Sequence, residues 1–307
     1  MALPRAIGAP LHSGRWSGLT VPEVAPPDRR RGLLYMVGAA VLFSVMGTLV
    51  KAGSATMPSM QLVFGRVAFT LIIGWVTIAH AGVSPWGVNR GMLFRRGVLG
   101  GFALVCFYES LAVLPLGDAT AIQYTNPILS AVLAAWLLRE RVAWTHAVAT
   151  ALSIAGVVAI ARPSFIFGGA SLPTMGVLAA VAGAILSAFV YVTVRQLGET
   201  EHPYVIVFWF PLVAFPVVTP LALRVWVWPD AWGWAILLGI GVSTQIAQVL
   251  MTKGLHLLPV AQATAVSYLQ VALGFIVGAL FFAEQPSLGA VAGAVLILAG
   301  MVVTSRR

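Results

Sequence analysis

Cysteine is almost missing from this chain of 307 residues. Cys106 stands alone inside an apolar run, which excludes a disulfide framework and a thiolate metal cluster and leaves the redox compartment unreadable. Charge is equally scarce. Asp, Glu, Lys and Arg supply 9% of the residues, against about 25% in soluble domains, so lipid rather than water must cover most of the surface. Enzymatic signatures are missing as well: no nucleophile elbow, HExxH motif, intramembrane carboxylate pair, Ser/Lys dyad or phosphate-cradling glycine loop occurs. The chain therefore reads as neither an enzyme nor an ATP-driven pump, and no cofactor is expected. His80, His146, His202 and His256 are isolated from one another, so no metal site is expected either. The net charge of +9 does not imply nucleic acid, because the cations are scattered between apolar stretches.

What is present is apolar sequence. Hydrophobic residues make up 60% of the chain, and its mean hydropathy is +0.95. With roughly 20 apolar residues needed per crossing, spans are predicted near 32–52, 59–80, 95–114, 117–138, 142–161, 174–195, 203–223, 231–252, 260–283 and 287–304. The fold class is thus all-α integral membrane, with ten transmembrane helices. Residues 1–31, rich in Pro, Gly and Ser before the first apolar run, read as a disordered cytoplasmic tail. The first run has full spanning length, unlike a signal-peptide core, and counts as a helix. Lys and Arg in short loops set orientation. With the N-terminus inside, the cytoplasmic side holds Arg29, Arg30, Arg31, Arg90, Arg95, Arg96, Arg139, Arg141, Arg195, Lys253, Arg306 and Arg307, and the outer side holds Lys51, Arg162 and Arg224. Both termini are expected in the cytoplasm, in an inner, or cell, membrane.

The sequence also repeats. At an offset of 144, residues 111–162 match residues 255–306 at 15 of 52 positions, including Pro115/Pro259, Tyr124/Tyr268, Glu140/Glu284 and Gly156/Gly300. The same offset relates Gly32 to Gly176 and Lys51 to Arg195. The unit holds five spans, one copy over 32–162 and the other over 174–304. Five is odd, so the second copy starts from the opposite face and the two repeats are inverted. Two such units can rock about a site at their interface, which predicts alternating access.

The stretch FSVMGTLVK, Arg66 early in the second span, the Pro115-to-Pro127 segment, the helix end LLRERV and the closing AGVVAIARP resemble the EamA type of the drug/metabolite transporter superfamily. The resemblance covers nearly the whole chain after the tail. It implies ten helices in two inverted repeats and movement of small metabolites, often outward. The second copy departs from the pattern at Ala283-Glu284-Gln285 and at Val271, which replaces Pro127, so imperfect symmetry is expected near the ninth helix.

Ionisable groups inside spans are costly and usually face a cavity or a partner. Arg66 and Glu109 are the leading substrate or coupling candidates: Glu109 as a proton or cation site, Arg66 as its partner or as a carboxylate clamp, with a structural ion pair as the alternative. A second set comprises Gln123, Tyr124 and Asn126 in the fourth span, Tyr268 and Gln270 in the ninth, and Gln245 and Gln248 in the eighth. Amides and phenols can bind a polar ligand from an apolar cavity, or can simply join helices. Gly97/Gly101, Gly274/Gly278 and Gly289/Gly293 have close-packing spacing, read first as intramolecular contact and second as a homodimer face. Tryptophans such as Trp86, Trp144, Trp228 and Trp232 fall near helix ends and read as interfacial belts. The expected function is secondary transport of a small amino acid or related zwitterionic or amphiphilic metabolite, in the export direction. The alternatives are import of a cofactor-like metabolite, a scaffold and an intramembrane enzyme. The expected partners are that small molecule and the lipid bilayer.

Overall fold

The computed structural model describes residues 28–114, 119, 122–140, 143–161, 164–167, 172–281 and 288–305. Residues 1–27, most of the expected tail, lie outside them. The helices are α1 (Arg29–Gly53), α2 (Ser59–Ala81), α3 (Arg90–Val113), α4 (Asn126–Leu137), α5 (Trp144–Ala161), α6 (Thr174–Leu197), α7 (Pro203–Leu223), α8 (Ala231–Leu257), α9 (Val260–Ser267), α10 (Leu269–Phe281) and α11 (Leu288–Ser305), with a single turn at Ser164–Phe167. Among the described residues, α1, α2, α3, α6, α7 and α8 are long and apolar enough to cross a membrane. The bundle is an all-helical membrane fold.

Local chemistry sets the ends of these helices. Asp28 accepts a hydrogen bond from the Arg31 backbone N–H at 3.1 Å, so α1 starts at Arg29, three residues earlier than expected. Asn89 accepts from the Met92 N–H at 3.2 Å, so α3 begins at Arg90 and not near residue 95. This corrects the placement of Arg95 and Arg96, which belong to a helix and not to a loop. Lys253 lies within α8 rather than beyond it, its ammonium 5.4 Å from the Tyr204 ring centroid. Asp230 caps α8 through the Gly233 N–H at 2.7 Å. Large side chains such as Leu34, Ile72, Val132, Leu178 and Leu280 face outward, as a lipid-facing surface requires. Trp144 and Trp228, each 81% exposed, stand near helix ends.

The repeat is visible in the packing. Shifting α5 by 144 residues gives the limits of α11, and α1, α2 and α3 shift onto α6, α7 and α8 to within about three residues. The pairing of α1 with α8 is mirrored by α6 with α3, that of α2 with α8 by α7 with α3, and that of α1 with α10 by α6 with α4, while α2 packs on α7 and α5 on α11. Backbones approach closely at equivalent points. A Cβ on Gly156 would meet the Gly293 carbonyl oxygen at 2.5 Å, and one on Gly300 would meet the Ala149 oxygen at 2.7 Å; positions 149 and 293 are themselves 144 apart. Gly97 and Gly101 face Val213 and Ala214 of α7, an intramolecular contact.

The fourth and ninth spans are interrupted rather than continuous. The chain turns at Tyr124 and Thr125 before α4, and at Tyr268 between α9 and α10. Val271 did not prevent the second interruption. Its N–H donates to the Tyr268 carbonyl at 2.9 Å, a bond that Pro127 cannot make at the equivalent position.

Candidate functional site

The two interruptions meet. The Tyr268 hydroxyl donates to the Tyr124 carbonyl oxygen at 2.9 Å, and the two rings lie 5.9 Å apart between centroids. Repeat-equivalent residues can touch each other in this way only near the axis that relates the repeats. Beside this contact lies a cavity of about 240 Å³ walled by α1, α2, α3, α4, α6, α7, α8 and α10, by Gln123 and Tyr124 ahead of α4, and by Ser267 at the end of α9.

Most of the wall is apolar, with Met36, Phe43, Met46, Leu104, Phe107, Phe210 and Met251 among its residues. Polar groups converge through it from both repeats. Arg66, Gln123, Tyr124, Asn126, Gln248 and Gln270 line the cavity, as the sequence expected of a ligand site. The Gln123 amide donates to the Ser187 hydroxyl at 3.2 Å, which leaves its Oε1 without a partner, and the Gln248 Oε1 is also unpartnered. Tyr268 is fully buried behind the wall and shapes it through Tyr124. Gln245 is buried at 3% exposure without lining the cavity, its side chain packed near Gly74. Glu109 lies on the exposed face of α3, outside the lining, and no ion pair joins it to Arg66 among the described residues.

Sequence reading missed Arg96. It lies on the second turn of α3, 2% exposed, with its guanidinium carbon 4.8 Å from the Phe210 ring centroid and within the cavity wall. Hidden in the cluster Arg90, Arg95, Arg96, it read as one more interfacial cation. The usable signal was the helix face: Arg96, Gly100, Ala103 and Phe107 recur at helical spacing and all line the cavity. Ser187, Tyr191 and Ser267 were missed too, being ordinary polar residues in apolar runs.

The cavity has one closed end. Its lining is buried at the level of Met36, Arg96 and Met251, at 1%, 2% and 5% exposure, and half-buried at the level of Met46, Arg66 and Phe107. Beyond Arg96 lies the largest hydrophobic cluster, in which Leu93, Leu197, Leu255 and Leu258 are all but inaccessible. The same end carries a polar clasp. Glu140, just past α4, pairs with Arg195 Nε at 3.2 Å through Oε1 and accepts the first N–H of α9, from Val260, at 2.9 Å through Oε2. Arg195 also donates to the His256 carbonyl at 2.8 Å. A left-handed residue, Arg139 at φ 54°, turns the chain so that Glu140 reaches these groups.

Residues 30–162 and again 174–306 match the EamA-like transporter family. The chain belongs to the EamA-like transporter family. It is 32% identical to the pseudopaline exporter CntI of Pseudomonas aeruginosa over 90% of this chain and 96% of that protein. It is 22% identical to an S-adenosylmethionine uptake transporter of Rickettsia prowazekii over 87% of this chain and 90% of that one. A solved crystal structure superposes with a TM-score of 0.78, covering 90% of this chain and 97% of the other at 21% identity, a likeness of fold alone. The two family repeats of this EamA protein and the transporters among its named relatives place it among membrane transporters of small metabolites.

Proposed function

We propose that this protein is a secondary transporter of the inner membrane that exports a small amino-acid-derived metabolite by alternating access, carrying out no chemistry on it. The supporting observation is the single-ended cavity: an apolar chamber at the repeat interface, lined by unpartnered amides and closed at one end by a dense core and an ion-pair clasp. The two interrupted helices beside it supply turned backbone at mid-depth, where transporters of inverted-repeat design bind their ligands. Inversion supplies the second state, because what closes one end in this conformation has counterparts in sequence at the other.

With both termini cytoplasmic and residues 1–31 mostly a tail, the closed end faces the cytoplasm and the cavity opens outward. With Arg96 set apart as a buried residue of the span, eleven cations remain in loops or helix ends on the cytoplasmic side against three outside, and the orientation is unchanged. The exporter among the relatives is the more similar of the two, which favours export. Proton coupling through Glu109 would act from the exposed face of α3 rather than by contact with ligand, so Glu109→Gln is expected to leave ligand affinity unchanged.

Counterflow in proteoliposomes against a panel of metabolites tests the proposal. Accumulation of at least one radiolabelled solute, abolished by collapse of its own gradient, is the expected result. A purified chain that moves no solute, or that converts one chemically, would refute it.

A further inference from the structure

Two guanidiniums line one cavity, and among the described residues no carboxylate does. Arg96 is 2% exposed and its Nε has no partner; the Nε of Arg66 is likewise buried and unpartnered. Among the described residues, Glu140 and Glu109 are committed or face away. Glu140 is held by Arg195 and the Val260 N–H, and Glu109 points outward from α3.

A charge at this depth is costly unless it is paired. The Phe210 face, 4.8 Å from the Arg96 guanidinium carbon, offsets only a part of that cost. The fold does not require charge at these places: the positions 144 residues on from Arg66 and Arg96 are Phe210 and Ile240, both buried and apolar. Space has also been kept for Arg96. A Cβ on Gly100 would lie 2.9 Å from Arg96 Nη1 and 2.8 Å from a Phe210 ring carbon.

The two cations enter the cavity from different helices. Counted from the helix ends at the closed side, Arg96 is six residues in along α3 and Arg66 fifteen along α2, a backbone offset of roughly 13 Å in depth that the Arg96 side chain shortens by reaching along α3 to Gly100. Two forks of donors carried on separate helices suit two planar carboxylates. Between them, the free amide oxygens of Gln123 and Gln248 can accept N–H groups.

Building on the transport reading, we infer that the cavity takes a ligand with two carboxylates, one held by Arg96 and one by Arg66, joined by an amine-bearing and partly apolar segment. The ligand supplies the counter-charge that the protein lacks.

The test uses the full chain in detergent, its melting followed by tryptophan fluorescence, with four probes: N-benzyl-glutamate, its monoamide N-benzyl-glutamine, benzyl phosphate and benzylamine. N-benzyl-glutamate is expected to bind roughly 10- to 100-fold more tightly than the monoamide, the range of one charge-assisted contact. Arg96→Gln and Arg66→Gln should each bring the two to within about threefold, and Arg96→Lys should restore part of the difference by returning the charge without the fork. Equal stabilisation by benzylamine or benzyl phosphate, or a dicarboxylate preference that survives both glutamine variants, would overturn the inference. Wild-type protein that performs counterflow yet does not distinguish the glutamate from the glutamine derivative keeps the transport reading and sinks this one. A clear preference without any counterflow does the reverse.

Discussion

The two ends of the bundle are built from related sequence and packed differently. At the closed end Leu197, Leu255 and Leu258 are at most 1% exposed, and Arg195 is locked to Glu140. Leu197 corresponds to Gly53 and Arg195 to Lys51, whereas Leu255 and Leu258 correspond to Leu111 and Leu114, so the opposite end keeps two of the three plug leucines and has a glycine in place of the third. Inverted symmetry fixes which residues are equivalent; it does not make both copies adopt the same contacts at once. A transporter needs that inequality, because a cavity sealed at both ends or open at both would not carry cargo one way at a time.

The largest expected effect comes from removing the clasp. Glu140→Ala leaves Arg195 without its counter-charge and the start of α9 without its acceptor, and should lower unfolding stability by about 2–3 kcal/mol, the buried-pair range reduced for partial exposure. Thermal unfolding in detergent measures the loss. A cysteine placed at Leu255 should also react faster in that background, because the closed end would open more often. An unchanged melting temperature and labelling rate would mean that the leucine cluster alone holds the end shut.

Next comes the symmetry itself. Gly156→Ala and Gly300→Ala each drive a methyl group against a backbone carbonyl that cannot swing away, at about 1–3 kcal/mol of overpacking. Equal losses would sharpen the view that α5 and α11 form one symmetric joint; a large loss at one site and none at the other would break it.

A smaller effect is expected at the axis. Tyr268→Phe removes one buried hydrogen bond, about 1 kcal/mol. Tyr124→Phe leaves that bond intact, since Tyr124 offers its carbonyl and not its hydroxyl. The smallest effect is a pH dependence at the closed end. His202 caps α7 through Nδ1, accepting from the Tyr204 N–H, and burial together with Lys253 holds its pKa below the usual 6.5. A depressed histidine contributes stability that is fully present above about 6.5 and lost as pH falls through its folded value. Melting curves of wild type and His202→Asn should therefore converge as the pH is lowered from 7 to 5.

Much of this was legible beforehand, for identifiable reasons. Lipid as solvent makes spans long and continuous, so composition and length locate them. A repeat offset read from Tyr124/Tyr268 and Gly156/Gly300 predicts which residues are equivalent, and the packing follows it. The polar residues near the Pro127 turn line the cavity because amides in apolar spans have few other places to go. Arg96 escaped because a cation near a helix start looks the same in sequence whether it reaches the interface or the interior. Glu109 looked internal by span position, yet one position around a helix is about 100° of rotation, and that rotation put it on the outer face.

Apolar periodicity, the lack of charge and the 144-residue offset by themselves determined a membrane bundle of two inverted repeats, because the hydrophobic effect and backbone hydrogen bonding in lipid leave few other choices. Only the tertiary structure decided which end is closed, which arginine is buried and which acid is not. Those outcomes depend on how each helix is rotated against its neighbours, and rotation is set by close packing among residues far apart in the chain.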